Sequence, residues 1–231
     1  MINGFNKSAY LNKFDLFLNT EKMTKIEPYL NIDDAIESLD NGGRFYNILT
    51  SADDGVISQS ELGKVAGLLN DKQQMILFFE ISISNLNADK RNEVISKLED
   101  KLKETYLKFK PLELLPSEAF SKGTIASNAI ITGIPTLIES KDEFTGFILI
   151  PIYSGEITTF SMIPLIDLYD VYELKDEKSD EKFLIAHVKS ENKLPEKKIK
   201  VAGILKELKL DKEEDVASEK YLEAVYHLEV N

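Results

Sequence analysis

The sequence predicts an α+β protein, with an all-α helical domain over residues 1–110 followed by a mostly antiparallel small β-barrel over residues 124–231. In the first half, apolar residues recur at the three- to four-residue spacing of a helix. In the second half, short apolar runs alternate with turn residues, as in sandwiches and barrels. Between the halves, prolines at 111 and 116 and a glycine at 123 interrupt both patterns. Residues 111–123 are therefore predicted to be a linker.

The helical half begins with predicted helices over residues 8–20 and about 31–39, and residues 44–50 are predicted to begin a third. In the first of these, the apolar side chains fall on one face: Tyr10, Leu11, Phe14, Phe17 and Leu18. Two consecutive glycines, Gly42 and Gly43, break the chain before the third helix. The domain therefore starts as short amphipathic helices joined by loops.

Residues 50–61 have the spacing of a calcium-binding loop. Gly55 stands at the sixth position, where the sharp turn needs glycine, and Glu61 stands at the twelfth, the position of the bidentate ligand. Ile57 stands at the eighth position, where an apolar residue pairs with a partner loop. With its flanking helices, the segment resembles an EF-hand and is also similar to tellurite-resistance-type helical domains of bacteria. The EF-hand resemblance implies a Ca²⁺ site with Asp54 and Glu61 as candidate metal ligands.

The same residues also have a structural interpretation. Thr50 and Ala52 stand where an EF-hand has carboxylates, so water would have to supply several ligands to the ion. Ser58 and Glu61 have the spacing of a capping box, in which each satisfies a backbone N–H at the start of a helix. We favour the capping role for Glu61 and keep calcium binding as the alternative.

A helix beginning after Asp71 is predicted to form the centre of the helical domain. It is apolar on most sides through residues 75–83, which is typical of a buried helix. Asn87 is predicted to cap a final helix over residues 88–109. If the turn before that helix mirrored the calcium-type loop, Leu86 would pair with Ile57, and Lys90 would oppose a metal ion there.

The second half contains six predicted strands, at residues 125–131, 146–152, 166–174, 182–188, 199–208 and 221–230. The middle of this region resembles an OB-fold: a strand ending near Asp176, a polar turn, a second strand over residues 183–188, and a later strand containing Gly203. Gly203 is expected to allow the sharp coiling of a small barrel. OB-folds commonly bind oligonucleotides or oligosaccharides.

Charge and composition limit the partners that the chain could bind. The formal net charge is −12, and from residue 120 onward there are 21 acidic residues against 14 lysines and no arginine. Since nucleic-acid grooves are basic, we predict no nucleic-acid partner and favour a protein partner, for example a basic one. No segment has the length and composition of a membrane helix, so we predict no membrane partner. The absence of cysteine fits a reducing compartment, and the predicted location is cytoplasmic.

Catalytic signatures are absent from the sequence. It has no glycine-rich phosphate loop, and its two histidines, His187 and His227, have no neighbouring base at motif spacing. We therefore predict a non-enzymatic binding protein with no catalytic residues and no cofactor. Two alternatives remain open. One is a calcium-responsive module through residues 50–61, and the other is an enzyme whose dispersed residues meet at the domain interface, with a histidine beside a carboxylate in a cleft.

Overall fold

A computed structural model describes residues 23–41, 53–68, 70–138, 146–154, 157–177, 179–189, 193–212 and 215–230. The predicted helices over residues 8–20 and 44–50, and the first three positions of the calcium-type loop, lie outside the described residues. The described part contains seven helices: α1 (Ile32–Asp40), α2 (Gln59–Val65), α3 (Lys72–Ile83), α4 (Ala88–Ser96), α5 (Asp100–Phe109), α6 (Pro116–Lys122) and α7 (Leu165–Leu168).

The described strands are β1 (Thr24–Lys25), β2 (Leu112–Leu114), β3 (Asn128–Leu137), β4 (Gly146–Ser154), β5 (Ile157–Pro164), β6 (Tyr169–Lys175), β7 (Lys182–Val188), β8 (Ile199–Lys212) and β9 (Asp215–Glu229). All nine belong to one mixed sheet in the order β1-β9-β7-β6-β3-β8-β4-β5, with β2 beside β3. Because β9 also pairs with β8, strands β3, β6, β7, β9 and β8 close into a ring. A five-stranded ring is the coarse feature that resemblance to an OB-fold implies.

The predicted fold class, an all-α domain followed by a separate, mostly antiparallel small barrel, is wrong. Two strands of the single mixed sheet come from segments predicted to be helical or linker: β1 pairs in parallel with β9, and β2 pairs in parallel with β3. Local periodicity could not reveal them, because they have only two and three residues and are held by distant parts of the chain. Residues 111–123 contain β2 and α6, and the domain boundary placed there stays a prediction.

Helix α3 joins the helical layer to the sheet because it is apolar on opposite sides. One side packs among the helices, through Met75, Ile76, Phe79 and Ile83. The other side carries Leu77 and Ile81, which pack against the sheet residues Ile130, Ala202, Val225, Tyr226 and Leu228. Full burial of a leucine or isoleucine side chain contributes about 1.5–3 kcal/mol, so the two faces together couple both layers strongly.

The helix predicted over residues 88–109 is two helices, α4 and α5, separated by residues 97–99. Ile57 forms a parallel bridge with Leu98 at this break. Its N–H donates to Lys97 O at 2.8 Å, and Glu99 N–H donates to Ile57 O at 2.9 Å. Apolar residues keep their helical spacing across residues 97–99, so the sequence pattern gives no sign of the break. The long-range bridge to Ile57 marks its position. The bridge partner of Ile57 is Leu98, whereas an EF-hand-type pair of loops would place Leu86 there.

Candidate binding surface

The hairpin of β4 and β5 forms one end of the sheet. The two strands pair along their whole length, from Phe147 opposite Pro164 to Ser154 opposite Ile157. β4 is attached to β8 only at its first residues, where Gly146 and Phe147 lie opposite residues 210 and 209. Most of the hairpin therefore extends beyond the closed ring.

Three large apolar side chains on this hairpin are exposed. Phe160 is 63% exposed, Met162 is 57% exposed and Leu149 is 44% exposed. Leu149 lies directly opposite Met162, and Phe160 is two residues from Met162, so all three lie on the same face of the hairpin. We call Leu149, Phe160 and Met162 the apolar edge. Isolated exposed apolar residues are common, but a contiguous group on one face marks an interaction surface.

A groove of about 670 Å³ adjoins the apolar edge and shares Leu149 with it. Part of its lining is aliphatic, with Ile125, Ile148, Leu149, Ile204 and Leu205, and the rest includes two tyrosines and several charged side chains. At its rim, Gln73 Nε2 donates to Ala126 O at 3.0 Å, which ties helix α3 to the segment that precedes β3. Its volume lies within the range of ligand-binding clefts.

The polar groups of the groove are paired with one another. Tyr169 donates its hydroxyl proton to Glu223 Oε1 at 2.8 Å, and Glu223 also forms an ion pair with Lys206. Burial, together with the nearby Glu223 carboxylate, raises the pKa of Tyr169 and that of Tyr221 well above the usual range. Both phenols are therefore neutral at physiological pH and can act as hydrogen-bonding groups but not as bases.

The carboxylates predicted as metal ligands lie at different depths. Asp54 is exposed, and its Oδ1 accepts a hydrogen bond from Val56 N–H at 2.9 Å. Glu61 is buried and forms a capping box with Ser58, whose N–H donates to Glu61 Oε2 at 2.8 Å. Among the described residues, no group of three or more histidine, aspartate or glutamate side chains is placed to hold a metal ion.

A buried aspartate that sequence reasoning missed supports this loop. Gly55, with a φ of +81°, donates its N–H to Asp40 Oδ2 at 2.8 Å. Glu99 Oε1 accepts from Gln59 N–H at 2.9 Å, so a second carboxylate from the 97–99 break caps α2. One carboxylate oxygen of Asp40 and one of Glu99 therefore each accept a hydrogen bond from a backbone N–H. Calcium binding at Asp54 and Glu61 stays a hypothesis, which calorimetric titration of chelator-stripped protein with Ca²⁺ would test.

The two histidines lie within the sheet and outside the groove. The His187 ring is buried and stacks on Tyr172, with ring centroids 5.5 Å apart. Its Nδ1 hydrogen-bonds to Val188 O at 2.8 Å, while Nε2 has no hydrogen-bond partner within the described part of the chain. Asp170 lies opposite His187 in the sheet. Asp170 forms an ion pair with Lys193, with Asp170 Oδ1 and Lys193 Nζ 2.7 Å apart. His227 is half-buried, and β1 pairs beside it.

Stability should depend on pH through His187. Burial holds the pKa of His187 below its usual value of 6.5, so the folded state disfavours the protonated ring. As the pH falls below about 6.5, the unfolded chain takes up the proton first, and stability is lost at up to about 1.4 kcal/mol per pH unit. Above that pH both states are neutral and the effect disappears. Urea unfolding of wild type and His187→Asn should therefore show a smaller acid loss in the variant. Equal losses would contradict this assignment.

A charge cluster joins the helical layer to the sheet, and sequence periodicity gave no sign of it. Glu80 and Tyr106 are buried in this cluster, whereas Arg91 is partly buried and Glu113 is exposed. Tyr106 donates to Glu80 Oε1 at 2.5 Å, and Arg91 pairs with Glu113 at 2.6 Å. Burial raises the pKa of Glu80 and lowers the pKa of Lys200, and the two groups interact electrostatically. None of these residues lines the groove beside β4. The available signal was Glu80 itself, an acidic residue within the mainly apolar segment of residues 75–83.

Comparison with known proteins leaves the function open. No family model matches the chain, and no curated protein matches it. Among solved structures, the chain is similar to the N-terminal domain of an archaeal MCM, with 10% sequence identity and a TM-score of 0.33. That match covers 85% of this chain and 97% of the other. In the described part of this chain, no helix combines the length and apolar character needed to cross a membrane.

Proposed function

We propose that this chain is a non-enzymatic binding protein that contacts another polypeptide through the apolar edge. The observation that carries the proposal is the exposure of Leu149, Phe160 and Met162 on one face of a hairpin that extends from the ring. Water contact with these side chains is unfavourable, and burial against a partner recovers roughly 25 cal/mol for each Å² of apolar surface. The groove beside them would accept apolar side chains of the partner.

Pairing of the charges near the groove supports a polypeptide over a nucleic acid. Lys206 is paired with Glu223, and Lys209 is paired with Glu207. A groove that tracks phosphates needs lysines or arginines whose charge is not already neutralised. The apolar edge also lacks basic side chains of its own. The absence of a nucleic-acid partner and the cytoplasmic location both remain part of the proposal.

The catalytic alternative needs a histidine and a carboxylate together in a cleft. His187 does lie opposite Asp170, but neither residue lines the groove, and the Asp170 carboxylate is engaged by Lys193. The phenols that do line the groove are held neutral. These placements favour binding over chemistry as the role of the groove.

Site-specific photo-crosslinking in the expressing cell tests the proposal. With a photo-reactive benzoylphenylalanine in place of Phe160, irradiation should yield a discrete adduct of higher mass. The matched control carries the same group in place of Leu107, which is 76% exposed on helix α5. We expect no adduct there, because Leu107 lies on helix α5 and not on the hairpin. Absence of any adduct at position 160, or identical adducts at both positions, would refute the proposed surface.

A further inference from the structure

Strand β5 is the last strand of the sheet, and its sequence lacks the features that usually prevent another strand from pairing with an edge strand. It pairs with β4 on one side, and no other described strand pairs with it. Natural edge strands are usually guarded by charged side chains, bulges or internal prolines. Residues 157–164 contain no charged residue, and the one proline is at the final position, Pro164. An edge of this kind can accept a further strand by backbone hydrogen bonding.

The charge distribution selects the strand that could pair there. The whole chain carries a formal net charge of −12, yet residues 146–164 contain a single charged residue, Glu156. Two copies of the chain that met over most other surfaces would bring many like charges together. Contact through β5 avoids that repulsion. An uncharged edge also offers no attraction to a basic or an acidic partner, so the best-matched strand is another uncharged one.

Symmetry makes a second β5 a suitable match. A strand can pair antiparallel with its own copy around a two-fold axis, which places the same surface on both sides of the interface. Phe160 and Met162 are two residues apart and therefore lie on the same face of β5. In such a pair, the exposed side chains of both copies would lie on one face of the joined sheet. Each copy would thereby cover apolar surface that is exposed in the single chain.

We propose that a second copy of this chain binds β5 by antiparallel strand addition and forms a symmetric dimer. The inference rests on the proposed function, in that the apolar edge must be a binding surface, and it names the partner. An eight-residue strand is only about 27 Å long, so the interface is small. We therefore expect a dissociation constant on the order of micromolar and a dimer that exchanges readily with the monomer.

Sedimentation equilibrium of the full chain across that concentration range tests the dimer. The mass of the wild type should rise from 26.2 kDa toward twice that value as concentration increases. Phe160→Lys should stay near 26.2 kDa, since it places a positive charge on each of the two paired strands, where like charges repel. Leu107→Lys, which adds the same charge on helix α5, should associate like the wild type. Circular dichroism would establish that both variants are folded.

The dimer and the proposed function can fail separately. A wild type that stays monomeric at every concentration, or a Phe160→Lys variant that still dimerises, would overturn the dimer. If crosslinking at position 160 then captured a different polypeptide, the binding surface would stand and only its occupant would be wrong. If crosslinking also captured nothing, both proposals would fall together.

Discussion

Replacing Gly203 by alanine should reduce the free energy of unfolding by about 3 kcal/mol or more. Gly203 lies at a bulge between β8 and β9, where the pairing shifts register. A Cβ atom at this position would collide with Glu223 O, and would lie 2.8 Å from Glu223 C and 3.0 Å from Ala224 Cα. All three are backbone atoms, so relief requires β9 to move away from β8. Because that pair closes the ring, the loss should affect the whole protein.

The control for this prediction is Gly67→Ala. Gly67 has a φ of +72°, and a Cβ there would have open space within 4 Å. The substitution should cost about 1 kcal/mol, from backbone strain alone. Urea unfolding followed by circular dichroism compares the two variants. If Gly203→Ala lost no more stability than Gly67→Ala, close approach of the two strands would not be what this glycine provides.

Sequence patterns predicted the structure correctly where interactions between residues close together in the chain determine it. Strand β7 occupies residues 182–188 as predicted, and Ser58 and Glu61 form the capping box that their spacing indicates. Asn87 caps helix α4 through a hydrogen bond from Lys90 N–H. Each of these features depends on side-chain alternation or on a hydrogen bond across three residues, which a sequence displays directly.

Features decided by distant parts of the chain could not be read in the same way. β5 lies between the predicted strands over residues 146–152 and 166–174, and the sequence pattern predicts no strand there. Its place at the end of the sheet depends on which strands pair, so the exposure of Phe160 and Met162 had no sequence signal. The Ile57–Leu98 bridge likewise breaks a helix whose apolar period is continuous. The candidate surface therefore could not be predicted from local sequence patterns.

The error in fold class has a measurable consequence at helix α3. Ile81 lies on the sheet-facing side of this helix and is fully buried, while Ile76 is equally buried among the helices. Truncation of either to alanine should cost about 2–5 kcal/mol. In two independent domains, Ile76→Ala would weaken only the helical part. With helix α3 shared between the layers, both variants should lower the stability of helix and sheet together.

Denaturant-dependent hydrogen exchange, read by mass spectrometry, measures the two layers separately in one sample. Amides of helix α5 report on the helical layer, and amides of strand β7 report on the ring. In both variants we expect the opening free energy of the two elements to fall by the same amount, since they unfold in one cooperative step. Loss of protection in α5 with β7 unchanged in Ile76→Ala would instead restore an independent helical unit. The apolar contact between α3 and the sheet would then be too weak to couple the layers.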